Sequence, residues 1–206
     1  KGLVETVLKG LDRAAGAPRL LQFVHDTADL EAARQAARKV SRTARSVSAT
    51  TGAAAGLGGA LSMSADIPAT IAIALRAIRD TGRAYGYTGD GPAEKLFRLQ
   101  ILELAAVDEP EARRDRIAAL EAALGPAGEL VHADHEHIAP IVDQAVERIS
   151  RAIAFTSFRS RAGMVVPLVG SIVGGLVISS FQEEVGKAAR FACQARRLKG
   201  DWSAAA

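Results

Sequence analysis

The feature of this sequence that most restricts its fold is a pair of long segments without a charged residue. The first runs from Ser46 to Ala65 and the second from Ala162 to Gln182. Both are rich in glycine, and the second also carries many Val, Ile and Leu side chains. A helix that is apolar all round is either buried at the centre of a protein or in contact with lipid. The two segments are therefore expected to form the centre of the molecule or its lipid-contacting part.

Three interpretations of the segments remain open: plain core packing, a lipid-facing or lipid-enclosing surface, and a transmembrane hairpin. A bilayer span needs about 20 predominantly apolar residues, and both segments reach that length by absence of charge. The first is rich in Ser, Thr and Gly, which contribute little transfer free energy, and the second contains Pro167. These features favour a paired helical core that opens to lipid over two simple spans.

Glycines recur four residues apart in both segments, at Gly52 and Gly56 and at Gly170 and Gly174. Residues at this spacing lie on one helix face, where small side chains let two backbones approach closely. Together with Gly59 they are the predicted helix-packing positions. We expect the two segments to pair antiparallel through these glycine faces.

The remainder of the chain predicts an all-α fold. Aromatic residues make up 4% of the sequence, Ala and Leu are abundant, and apolar residues recur at helical spacing with no sustained alternation. We expect a single helical domain over residues 1–206, with a core at about 44–199 and N-terminal helices at 1–43.

Several helix ends can be predicted from capping residues and glycines. Asp26 or Thr27 is the expected cap of the basic helix that precedes the first segment. Asp66, followed by Pro68, predicts the start of the next helix, with a polar group at the mouth of an apolar cavity as the alternative role of Asp66. That helix is expected to end near Tyr85-Gly86. Further along, Glu109-Pro110 predicts the start of a charged helix that ends by Gly125.

Basic residues flank both segments. The formal net charge is only +3, although the pI is 9.3, which argues against nucleic acid as a partner. Apolar helices flanked by arginines suit an anionic membrane surface, at roughly 1 kcal/mol per well-placed basic residue. An ordinary solvated face, partly neutralised by Glu and Asp, explains the same pattern.

Cys193 is the single cysteine, so no internal disulfide can form. A reducing, cytoplasmic location peripheral to a membrane is the resulting expectation. Cys193 lies in an Arg-rich helical stretch without a catalytic partner, which favours an inert thiol over a reactive one.

Three histidines, His132, His135 and His137, form the most catalytic-looking cluster in the sequence. An exposed polar linker is the first interpretation, with a metal site and a pH-responsive cluster as alternatives. The spacing matches no known zinc motif, and the sequence contains no nucleophile elbow, dinucleotide fingerprint or P-loop. No cofactor and no resident metal are predicted.

Several short stretches resemble the EcsC family. Thr51–Gly59 and Ala65-Asp66-Ile67-Pro68 are similar to its first half, together with Ala84-Tyr85-Gly86-Tyr87. Val166–Gly175 and Arg196-Arg197-Leu198 are similar to its second half. The resemblance spans about Ala44 to Lys199, although members often carry an asparagine near Ile178–Phe181, where this chain has none. It implies an association with membranes or lipids, and it implies no reaction.

The first functional hypothesis is a non-catalytic protein that binds lipid or fatty acid, or associates with an anionic membrane surface. The predicted apolar lining comprises Leu57, Met63, Ile67, Ile71, Leu75, Val165, Leu168, Ile172 and Leu176. The predicted head-group or mouth positions are Asp66, Arg76, Arg79 and Arg161. The alternatives are a partner-binding subunit of a membrane transport system and, third, a hydrolase or metal-dependent enzyme.

Overall fold

The computed structural model describes residues 16–56, 63–107, 109–131 and 167–205. Within these ranges the chain is all-α, as predicted, and it contains no strand beyond one isolated bridge between Leu124 and Leu130. The helices of the described part are α1 (Leu30–Gly56), α2 (Met63–Ala84), α3 (Pro92–Ala105), α4 (Pro110–Ala122) and α5 (Pro167–Ala205).

Helix α1 begins two to three residues later than the predicted caps imply. Asp29 is the capping residue, because its Oδ1 accepts from the backbone N–H groups of Glu31 and Ala32. The carboxylate of Asp26 instead accepts from the N–H of Ala28 and forms a local turn. The prediction of Asp26 or Thr27 as the cap was therefore wrong, since a third oxygen-bearing side chain lies closer to the helix.

Helix α2 begins earlier than predicted. Its first residue is Met63, so Asp66 and Pro68 lie inside the helix and Asp66 is not its N-cap. The residues before Asp66 include Met and Ala, both strong helix formers, and the helix extends through them. The end of α2 is as predicted, because Gly86 has φ of +91° and terminates it. The N–H of Tyr87 donates to the carbonyl of Gly82, which completes a Schellman ending.

Helices α3 and α4 both start with proline, which suits the first helical turn because its missing N–H would have no partner there. At α4 the carboxylate of Glu109 accepts from the N–H of Ala112 at 2.7 Å. This bond confirms the start predicted at Glu109-Pro110. It also lowers the pKa of Glu109, because it stabilises the ionised form.

The long helices α1 and α5 form the largest interface of the described structure, and they run antiparallel. Arg34 Nε donates to Gln194 Oε1 at 3.2 Å, and Arg45 Nη1 lies 3.2 Å from Glu183 Oε2. Moving along α1 from residue 34 to residue 45 therefore means moving backwards along α5 from residue 194 to residue 183. This antiparallel direction is observed in the charged half of the two helices, outside the two uncharged segments, whose pairing through their glycines stays a prediction.

Helix α2 packs antiparallel to α1, so it runs parallel to α5. Val40 and Ala44 of α1 share a buried cluster with Ile73 and Ala77 of α2. Helix α3 packs against α2 and α5, and α4 packs against α3. The main core lies between these helices, and its fully buried members include Ile71, Leu75, Ile78, Leu99, Leu102 and Val185.

Candidate functional site: the low-charge end of three helices

The ends of α1, α2 and α5 that carry almost no charge lie at the same end of the bundle. Beyond the ion pair of Arg45 with Glu183, α1 continues through residues 46–56 and α5 extends back to residue 167. The α2 backbone joins them, because Gln182 Nε2 donates to the carbonyl of Thr70 at 3.0 Å. We call residues 46–56, 63–70 and 167–182 the low-charge end. Its one charged residue is Asp66.

Ion pairs of Glu183 and Glu184 lie at the border of the low-charge end. Glu183 pairs with Arg45 and also with Lys187, whose Nζ lies 3.4 Å from Glu183 Oε1. Glu184 lies 2.7 Å from the same ammonium and 3.7 Å from Arg113 of α4. These acids raise the pKa of Lys187 through hydrogen bonding and charge. The charged and low-charge parts of the bundle therefore meet within about one helical turn of α5.

The predicted site residues fall into three groups. The backbone is described, within a helix, for Gly52, Gly56, Met63, Asp66, Ile67, Leu168, Gly170, Ile172, Gly174 and Leu176. Leu57, Gly59, Arg161, Val165, His132, His135 and His137 lie outside the described residues. Side-chain surroundings are described for Ile71, Leu75, Arg76 and Arg79.

Ile71 and Leu75 are both fully buried members of the main core. They pack with Ala74, Val185 and Ala189 at the α2–α5 interface, above the low-charge end. Their described neighbours are therefore those of a packed core.

Arg79 points inward and is 1% exposed. Its Nη2 lies 2.8 Å from Asp80 Oδ1, and its Nη1 donates to the carbonyl of Ala17 at 2.8 Å. Asp80 in turn accepts from the N–H of Leu20 at 2.7 Å. This buried pair holds the segment 16–20 against α2. Arg79 therefore binds the chain itself and is not placed at a mouth.

Arg76 is half-buried and less completely engaged. Its Nη2 donates to the carbonyl of Pro18 at 2.8 Å, while its Nε is buried and has no hydrogen-bond partner. Arg76 lies six residues from Thr70, or about 9 Å along α2 from the low-charge end. Of the predicted head-group residues whose side chains are described, Arg76 is the one that is not fully buried.

A glycine that the sequence reasoning missed lies where α1 and α5 approach each other closely. A Cβ atom at Gly186 would lie 2.9 Å from Ser41 Cβ and 2.8 Å from Ser41 Oγ. The Ser41 hydroxyl donates to the carbonyl of Ala37 and accepts from Arg190 Nη1. The usable signal was a row of small residues on α1, Ala33, Ala37, Ser41, Ala44 and Ser48, all of which are buried. These residues recur at helical spacing, and they predict a helix of equally small profile opposite.

At the other end of the bundle, Arg196 joins α5 to three other parts of the chain. Its Nη1 lies 2.7 Å from Glu94 Oε1, its Nε donates to the carbonyl of Gly128, and its guanidinium stacks 3.9 Å from the centre of the Tyr87 ring. A small pocket beside Arg196 is also lined by Phe97 and Cys193. Its free space is about 10 Å³, close to what one water molecule needs. This cluster fastens helices together and has no room for an acyl chain.

Cys193 has the environment of a structural thiol. It is 3% exposed, and burial raises its pKa to about 12. A thiol with so high a pKa stays protonated at neutral pH, and the thiolate is the nucleophilic form. The expectation of an inert thiol agrees with this environment. In the described ranges, no three His, Cys, Asp or Glu side chains gather as a metal ion would require.

Among the helices whose residues the structure describes, none combines the length and the apolarity needed to cross a bilayer.

Comparison with known proteins identifies one family. The model of the EcsC protein family matches residues 1–198, which is nearly the whole chain. A stretch of 52 residues is 35% identical to the uncharacterized protein YdbA of Bacillus subtilis strain 168. That stretch covers 25% of this chain and 19% of YdbA, so the match spans about a fifth of that relative. No solved structure matches the chain.

Proposed function

This chain belongs to the EcsC protein family, and we propose that it is a non-catalytic lipid-binding or membrane-surface protein whose low-charge end contacts acyl chains. The observation that supports this proposal is the gathering of three helix ends with one charge, Asp66, at one end of the bundle. Acyl chains offer no hydrogen bonds, so a surface that accepts them must be nearly free of charged groups.

The packing of the charged half explains why the low-charge end is the part suited to lipid. In the charged half, apolar residues such as Ile71 and Leu75 are already covered by neighbouring helices. Ion pairs at Glu183 and Glu184 mark the border. The predicted lining residues Met63, Ile67, Leu168, Ile172 and Leu176 all lie on the low-charge side of this border. They remain the proposed acyl contacts, with Arg76 as the proposed head-group contact.

An exposed side chain at the edge of the low-charge end offers a direct test. Val47 is 37% exposed on α1, and Val131 is 40% exposed outside the low-charge end. Val47→Glu is expected to lower partition into vesicles of neutral phosphatidylcholine at least tenfold, because a carboxylate resists transfer from water. Val131→Glu is the matched control and should bind like the parent chain. Vesicle flotation of the full chain measures both.

The same experiment distinguishes the alternative of a partner-binding subunit. In that case a helix of another protein would pack against the small residues of the low-charge end, as α1 packs against Gly186 of α5. No binding of the parent chain to any vesicle would reject the lipid proposal. Equal binding by the Val47→Glu and parent chains would show that lipid contacts another part of the molecule.

A further inference from the structure

Helix α1 carries a long run of sequence without an acidic residue. Between Glu31 and Asp66 there is no Asp or Glu, while five basic residues occur, Arg34, Arg38, Lys39, Arg42 and Arg45. Four of these are exposed, and three of the four, Arg38, Lys39 and Arg42, form no ion pair within the described ranges. We call these three residues the basic row.

The basic row differs from most other cations in having no carboxylate partner among the described residues. Arg45 lies 3.2 Å from Glu183, Arg98 lies 2.7 Å from Asp90, and Arg196 is paired with Glu94. Within the described ranges no ion pair joins a member of the basic row to an acid. Its positive charge is therefore exposed to solvent and has no carboxylate partner in the part of the chain that the structure describes.

The position of the basic row relative to the low-charge end is fixed by helix geometry. Arg42 precedes Ser46 by four residues and Arg38 precedes it by eight, which places them about 6 and 12 Å along the axis from the low-charge end. Val40 and Ala44 pack against Ile73 and Ala77, so Arg76 of α2 lies at the same level. Basic groups thus occupy the level just above the low-charge end on two helices.

These distances can be compared with the layers of one lipid leaflet. Its polar head-group layer is roughly 5–8 Å thick, and its half of the hydrocarbon core is about 15 Å thick. Arg42, about 6 Å from the low-charge end, is at head-group level, and Arg38, about 12 Å away, lies above it. The low-charge parts of α1, α2 and α5 are about 16, 12 and 24 Å long, so those of α1 and α2 match one leaflet and that of α5 reaches past its midplane.

We propose that the basic row binds the phosphates of an anionic lipid surface while the low-charge end enters the acyl layer of the same leaflet. This inference rests on the proposed function and adds the charge selectivity and the orientation of binding. The helix axes enter the leaflet low-charge end first. Guanidinium and ammonium groups recognise the head-group phosphates and carboxylates from above.

A membrane fits the basic row better than a nucleic acid does. Duplex binding requires a basic surface that follows a charged backbone over many phosphates. Here the row comprises three cations and ends at Ser46, where an uncharged surface begins. A lipid leaflet has this same order of charged and uncharged layers.

The test compares two matched double variants of the full chain. Arg38→Gln/Arg42→Gln removes two charges from the basic row, and Arg114→Gln/Arg197→Gln removes two from α4 and α5. Flotation is measured with phosphatidylcholine vesicles, with and without phosphatidylserine, at low and high salt. The row variant is expected to lose about 30-fold in partition into the anionic vesicles, at about 1 kcal/mol per basic residue and about 1.4 kcal/mol per factor of ten. Its binding to neutral vesicles should not change, and high salt should remove the same increment from the parent chain.

Several results would overturn the inference. Equal partition of the parent chain into neutral and anionic vesicles would do so, as would an equal loss in both double variants. Tighter binding to a DNA duplex than to anionic vesicles, abolished in the row variant, would assign the row to nucleic acid. The Val47→Glu experiment in neutral vesicles is independent of these outcomes. It tests the proposed acyl contact separately, even if the basic row proves not to bind anionic lipid.

Discussion

At the scale of single residues, the close approach of the α1 and α5 backbones at Ser41 and Gly186 is the main feature of the packing. Sequence spacing identified glycines in the low-charge end, yet a close approach of α1 and α5 among the described residues occurs at Gly186, which is isolated in sequence. Spacing rules detect repeated glycines. They miss a single glycine whose importance comes from the residue opposite, here Ser41.

A pair of glycine substitutions tests this point. Gly186→Ala would bring Cβ within 2.9 Å of Ser41 Cβ, so overpacking of about 1–3 kcal/mol is expected to exceed the gain of about 1 kcal/mol from helix propensity. Gly82→Ala is the control, because its Cβ would meet Tyr87 atoms only at 3.7 and 3.8 Å. Urea unfolding should show that Gly186→Ala destabilises the protein and Gly82→Ala does not. Stabilisation by both would mean that the two helices separate freely at Ser41.

The capping errors also belong to the residue scale. Asp26, Thr27 and Asp29 are all able to cap, and choosing among them requires knowing where the backbone turns into the helix. At Asp66 the pattern of acid and proline predicted a start, but the helix-forming residues before it continue the helix. The boundaries at Gly86 and Glu109 were predictable from residue type. Glycine readily adopts the positive φ that ends a helix, as Gly86 does, and proline is favoured in the first helical turn, as at Pro110.

At the scale of elements, the direction of the α1–α5 pair was predictable and its register was not. Two uncharged segments of similar chemistry suggested antiparallel partners. The register required the contact of Arg45 with Glu183 and that of Ser41 with Gly186. In both contacts the two residue numbers have nearly the same sum. Extended into the low-charge end, this register places Gly174 opposite residue 54, between Gly52 and Gly56.

A disulfide can test the extended register. In a Cys193→Ala background, Ser48→Cys and Ser179→Cys should crosslink on mild oxidation, because the extended register places residues 48 and 179 opposite each other and a disulfide forms only between closely opposed positions. Ser46→Cys with Ser179→Cys is the control, since Ser46 is exposed on α1. Proteolysis between the two helices, followed by non-reducing electrophoresis, reports the link. Efficient crosslinking in the control alone would refute the register.

At the scale of the whole molecule, buried groups that must stay neutral limit stability at high pH. Burial raises the pKa of Cys193 from 9.0 to about 12 and that of Tyr87 from 10.0 to about 12. Desolvation also raises the pKa of Tyr85. The folded state keeps these protons at a pH where the unfolded chain releases them. The resulting stability is complete below about pH 9 and is lost as the pH rises toward 12.

This loss of stability predicts how steeply the free energy of unfolding depends on pH. The free energy of unfolding should fall by about 1.4 kcal/mol per pH unit for each such group, above about pH 9 for Cys193 and above about pH 10 for Tyr87. Cys193→Ala should remove one such contribution between pH 9 and 12. Urea titrations across this range measure it, and Val131→Ala, which titrates nothing, should keep the parental slope. An unchanged slope in Cys193→Ala would mean that the thiol ionises in the folded protein.

The α1–α5 pairing also has a consequence for biosynthesis. The bond between Arg190 and Ser41 spans 149 residues, and that between Arg34 and Gln194 spans 160. At roughly 5–20 residues per second, the small-residue face of α1 leaves the ribosome about 10–30 s before its partner is made. During that interval the face of α1 that α5 will cover has no partner helix.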